Sequence, residues 1–158
     1  MNELADPKGP WAGAIGQAFV AFGSIEFITL HCLKEIPKDR IRRSTSSFKL
    51  GQRIDLIQEL LEAHPGPLAK ALHDALQRVK ELTPTRNLVA HNPIFVDFHQ
   101  HKDGSILHTQ HIRSVANPKR ALTLAELERF AEESEAACSA LYQSSFAFIK
   151  MLRSGAAA

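Results

Sequence analysis

The stretch from Pro10 to Glu35 is apolar on more than one helical face. One stripe runs through Ile15, Phe19, Phe22, Glu26, Leu30 and Leu33, and a second through Ala14, Ala18, Ala21, Ile25, Ile28 and Cys32. A helix with two apolar stripes cannot sit on a surface; it belongs at the centre of a bundle or under a second chain. Pro10 suits a first helical turn and Pro37 stops the helix. Its most apolar run, IEFITLHCL, is interrupted by Glu26 and His31 and falls well short of the ~20 apolar residues that span a bilayer. The opening MNELADPKGP is polar and acidic, unlike a secretory leader. The expectation is a soluble, cytoplasmic protein with no membrane partner.

The other segments supply what such a helix packs against. With 158 residues and 44% hydrophobic content, the chain reads as one domain over 1–158, with an ordered core from about residue 10 to 153. A second helix is expected over Ser47 to Ala63, ended by the HPGP punctuation, and a third through Leu68, Leu72, Leu76, Val79 and Leu82. Thr83-Pro84 should interrupt that third helix, since proline lacks an N–H and clashes with the preceding turn, so that RNLVAH rides on a kinked continuation or a short new helix. After Pro93 the period changes to two: IFVDFH and SILHTQHI flank Asp103-Gly104, a hairpin signal. Thr123 and Glu126 form a capping box that opens a long last helix. The predicted fold class is therefore all-α: a bundle of about four helices with a β-hairpin inserted before the last.

At the end of the third helix stands RNLVAH, with Arg86, Asn87 and His91. Arg86-Asn87, three intervening residues and His91 resemble the R-N-x-x-x-H motif of the HEPN superfamily (higher eukaryotes and prokaryotes nucleotide-binding). The order of helices around the motif, from about Trp11 to Leu152, resembles that family as well. The resemblance implies a metal-independent endoribonuclease, in which the ribose 2′-OH attacks the neighbouring phosphodiester and leaves a 2′,3′-cyclic phosphate. It also implies a toxin or phage-defence setting, an antitoxin or inhibitor protein as partner, and no cofactor. A noncatalytic nucleotide-binding, RNA-binding or protein-interaction module is the alternative, since some family members keep the fold without activity. Asn92-Pro93 departs from the small residue that relatives often carry after the histidine.

The residue chemistry agrees with that implication. Imidazole changes charge near neutral pH, which suits His91 to proton transfer. The guanidinium of Arg86 offers permanent charge and paired donors to phosphate oxygens. Asn87 can orient His91 or hold a phosphate or ribose oxygen. In an ideal helix, however, positions five apart lie ~7.5 Å apart along the axis and roughly 140° apart around it. Either the helix unwinds before Asn92-Pro93, or a second chain completes the site. A C2 homodimer with a composite active site is the expectation, and Glu26 is the candidate to pair with Arg86 or else to reach solvent.

Remaining candidates are basic or histidine-rich. Lys38, Arg40, Arg42 and Arg43 precede the second helix and form either a solvated loop or a phosphate-contact patch. His99 and His101 share a strand face in a hairpin that also holds His108 and His111, and with Lys119 and Arg120 they are candidates to contact RNA. No carboxylate or cysteine completes a metal-ligand spacing among them, so no metal is expected. Cys32 and Cys138 lie in apolar helical pattern as small hydrophobes. A formal charge of +2 with a pI near 8.6 permits a nucleic-acid partner without requiring one.

Overall fold

A computed structural model of the chain describes residues 9–37, 45 and 47–155. Its elements in order are α1 (Gly9–Glu35), α2 (Leu50–Leu61), α3 (Pro67–His91), β1 (Ile94–Gln100), β2 (Ile106–Arg113), β3 (Ala121–Leu122) and α4 (Leu124–Gly155). Four helices thus dominate the described residues, with a small antiparallel sheet inserted before the last. The basic run containing Arg40, Arg42 and Arg43 lies outside the described residues.

Side-chain pairs fix the helix directions. Arg153 meets Glu35 at 2.7 Å, so α4 and α1 end together and run parallel. Arg78 meets Glu133 at 3.0 Å and Lys80 meets Asp55 at 2.6 Å, which sets α3 antiparallel to α4 and to α2. The core between them is apolar: Phe22, Ile25, Ile54, Leu72, Leu76, Leu141 and Phe148 are all at most 1% exposed. α1 has the length and hydropathy of a membrane-crossing helix, yet ten of its residues, including Trp11, Phe22 and Ile25, are buried within the bundle. Its exposed side is unusual, because Val20 and Phe27 remain 73% and 71% exposed.

Pro84 does not end the third helix: of the two alternatives, a continuation and a new short helix, the helix continues. α3 runs unbroken from Pro67 to His91 with Pro84 inside it. A proline there costs ~3 kcal/mol. Leu82, Leu88 and Val89 are buried on either side of it, and each buried side chain of this size contributes ~1.5–3 kcal/mol. Arg120 adds a tether by donating from Nη2 to the Pro84 carbonyl at 2.6 Å. The unwinding expected before Asn92-Pro93 is also absent: His91 is helical, and only Asn92 turns extended, as a residue before proline should. α2 is shorter than expected at both ends.

β1 and β2 pair antiparallel with Ile94 opposite Ile112 and Gln100 opposite Ile106. Gly104, with φ of +85°, supplies the left-handed turn position, and Asp103 Oδ1 accepts from the Ser105 backbone N–H at 2.9 Å. β3 adds a third strand that the sequence pattern did not reveal, pairing Leu122 with Ile112. The base of the sheet is sewn to the bundle by buried Ile112 and by the Trp11 indole N–H, which donates to Gln110 Oε1 at 2.9 Å. The Thr123 capping box opens α4: Glu126 Oε2 accepts from the Thr123 backbone N–H and hydroxyl, both at 2.8 Å.

Replacing Phe148, fully buried and edge-on to the His64 ring, with alanine should cost about 3–5 kcal/mol in a denaturant titration. The capping box predicts a pH effect. Hydrogen bonds from the Thr123 backbone and hydroxyl hold Glu126 below its ordinary pKa of 4.5. A depressed carboxylate contributes stability above its unfolded pKa and loses it as pH falls through the folded one. The stability gap between the wild type and Glu126→Ala should therefore be constant above pH ~5 and shrink in more acidic buffer.

Candidate functional site

The last two turns of α3 carry the motif. Arg86 points from α3 towards α1, where Nη2 lies 3.5 Å from Glu26 Oε1. Its guanidinium carbon stands 5.4 Å from the centre of the Phe19 ring, within cation–π range. Phe19 and Glu26 are two helical turns apart on α1, so one face of that helix holds both partners of the arginine. Nη1 donates to Asn87 Oδ1 at 3.3 Å. These contacts are long, and Nε is buried without an acceptor. Arg86 is thus held in orientation, and with 28% of its side chain exposed its terminal nitrogens can still meet an anionic oxygen.

Asn87 joins the arginine to the histidine. It is exposed, accepts from Arg86, and lies four residues before His91, which places the two on one helical face. His91 is exposed in the last position of α3. Because the helix stays regular, Arg86 and His91 diverge by the full ~140° of an ideal helix, and Asn87 occupies the angle between them. The three motif residues therefore form a band around α3. Glu26 stands at one end of the band and open solvent at the other.

Asn92 controls where that band stops. Its Nδ2 donates to the Leu88 carbonyl at 2.9 Å, and its Oδ1 accepts from the Val115 backbone N–H at 3.0 Å. One side chain thereby caps α3 and ties it to the loop between β2 and β3. The Asn92-Pro93 pair has a structural role at the exit of the motif.

The RNA-contact candidates divide between the far end of the hairpin and the β2–β3 loop. His99 and His101 are exposed at the distal end of the hairpin, where His101 belongs to the turn. Lys119 is exposed in the β2–β3 loop, and Arg120 is engaged with Pro84. Among the described residues no group of three or more histidine, cysteine, aspartate or glutamate side chains is arranged to hold a metal. His31 is exposed beside the last helix. Asp55 is exposed and paired with Lys80.

Sequence reading missed a second polar cluster on the sheet. Asp97 Oδ2 lies 3.5 Å from His111 Nε2 and 3.7 Å from Arg113 Nη1, while Phe95 stacks between His111 and Arg113. The strand register brings these residues together, because Asp97 pairs with Thr109 and His111 is its diagonal neighbour on the same face. Neither cysteine is activated. Burial pushes the Cys32 thiol up to about 12, and burial raises Cys138 despite a hydrogen bond with Ser24.

The chain matches no protein-family model, no curated protein and no solved structure. Its functional reading rests on the geometry above. Thiol chemistry can be set aside by experiment: at pH 8 the folded protein should react with a thiol reagent far more slowly than the protein in denaturant, where both thiols are released.

Proposed function

We propose that this chain is a metal-independent endoribonuclease of the HEPN type, with Arg86, Asn87 and His91 as its catalytic residues and Glu26 as the residue that positions Arg86. The observation that carries this reading is the Arg86 guanidinium, braced by Glu26, Asn87 and the Phe19 ring yet with 28% of its side chain still open to solvent.

The chemistry follows from the groups available. The ribose 2′-oxygen attacks phosphorus as its proton leaves, the bond from phosphorus to the 5′-oxygen breaks, and that oxygen takes up a proton. The products are a 2′,3′-cyclic phosphate and a 5′-hydroxyl. Arg86 stabilises the charge that builds on the non-bridging oxygens. His91 exchanges the proton on one side of the reaction, with water serving the other. Asn87, between them, holds a ribose or phosphate oxygen. The exposed His99, His101 and Lys119 extend the RNA-contacting surface, and the setting is cytoplasmic, with an inhibitor protein as a further partner.

A second reading is a noncatalytic module that binds nucleotide, RNA or a protein partner at the same place. It is favoured by the divergence of Arg86 and His91 around α3, which suits holding a ligand better than attacking one. A cleavage assay in EDTA separates the two. Catalysis predicts RNA products ending in cyclic phosphate, unaffected by chelator, with Arg86→Ala and His91→Ala each reducing the rate by about 10²–10⁴-fold. Saturable RNA binding with no products would establish the second reading. Activity abolished by chelator, or intact in both variants, would sink the first.

A further inference from the structure

The last helix carries a pattern that core packing does not explain. One side of α4, including Leu127, Phe130, Leu141 and Phe148, is buried in the bundle. Along the solvent side, in chain order, stand Glu132, Glu135, Tyr142, Phe146, Lys150 and Arg153, all exposed. At ~100° per residue these six fall within an arc of about 80°. The stripe therefore reads acid, aromatic, base along its length.

The helix dipole accounts for Arg153, which lies in the last turn, but not for the rest of this order. Its influence falls off within the first and last turns, whereas Glu132 and Glu135 lie beyond the first turn of a helix that starts at Leu124. Nor do contacts within the chain account for it: among the described residues Glu132, Glu135 and Lys150 have no ion-pair partner. At the centre, Tyr142 and Phe146 are 60% and 62% exposed, with rings stacked at 6.5 Å. Val20 and Phe27 of α1 extend the apolar area alongside them. A groove of about 1250 Å³ between the two helices is lined by Gly23, Ser24 and Ser139 as well as these rings.

We propose that a second copy of the chain docks on this face, with α4 antiparallel to the partner's α4 about a two-fold axis passing between Tyr142 and Gln143. An antiparallel pairing is what an acid-to-base stripe selects, because a parallel one would set like charges against each other. About that axis Glu135 faces the partner's Lys150, and Glu132 faces the partner's Arg153. Phe146 faces the partner's Ser139, so a large side chain meets a small one. Arg153 also keeps Glu35 at 2.7 Å, so the register is set chiefly by Glu135 and Lys150.

The area is adequate. From Glu132 to Arg153 the helix rises ~32 Å, and two helices each ~10 Å wide give a projected face of roughly 600 Å². Accessible area exceeds projected area, which brings it near the ~800 Å² per partner of a stable interface. A two-fold perpendicular to the helices also lays α1 over the partner's α1. Glu26 and Arg86, on the flank of α1 away from α4, then stay uncovered and open on the same side of the dimer in both copies. The proposal does not rest on the ribonuclease reading.

Light scattering after size exclusion tests it with the full chain. The wild type at about 100 µM should show twice the 17.5 kDa chain mass. Glu135→Lys and Lys150→Glu each place like charges in both symmetry-related contacts, and each should weaken the dimer at least tenfold. The doubly substituted chain should recover the dimer. An equimolar mixture of the two single variants should form a heterodimer, an outcome that no effect within one chain produces. Circular dichroism confirms that these exposed substitutions leave the helices folded. A monomeric wild type, single variants that stay dimeric, or failure of both rescues would overturn the proposal.

Discussion

Everything in this fold follows from the need to cover α1. A helix of 27 residues with two apolar stripes cannot remain in water, and the burial of Trp11, Phe22, Ile25, Ile28 and Cys32 organises the other helices around it. α4 runs parallel to it along most of its length, with Phe130 stacked 6.0 Å from Phe22. α3 returns in the opposite direction, which brings Arg86 over Phe19 and within reach of Glu26. The orientation of the motif arginine is thus a by-product of how α1 is buried.

The same constraint explains why the bundle overrides local signals. Thr83-Pro84 and the polar run that follows it argue for a break in the helix. Leu82, Leu88 and Val89 require a continuous helix to reach the core, and their burial outweighs the cost of one missing hydrogen bond and a crowded ring. Regularity then forces the motif residues apart around α3. Unwinding between Arg86 and His91 could bring the two closer, at the expense of exposing Leu88 and Val89.

How much of this was legible depended on the length scale of the signal. The helices, the Asp103-Gly104 turn and the Thr123 capping box were readable because each is a local pattern with a local cause. Phe19 and Glu26 could be placed on one stripe of α1 from spacing alone, though which of Arg86 or solvent would meet the carboxylate could not. β3 escaped because two residues carry no period, and its existence depends on Leu122 finding Ile112 across the sheet. The Asp97, His111 and Arg113 cluster needed the hairpin register, which sequence leaves free by a residue. The outcome at Pro84 could be narrowed only to a continuation or a new helix, because the local rule is strong and only the sum of tertiary burial defeats it.

Asn92 gives the motif a distant dependence. Its amide holds the end of α3 while its oxygen holds the backbone at Val115, and Arg120 grips the Pro84 carbonyl from the same loop. The neighbourhood of His91 is therefore clamped by a loop more than twenty residues downstream, as the 23-residue separation of Asn92 and Val115 records. Insertions and deletions usually accumulate in such loops because nothing depends on their length. Here they would be transmitted to the last turn of α3, so the segment from Ser114 to Arg120 should tolerate changes of side chain more readily than changes of length.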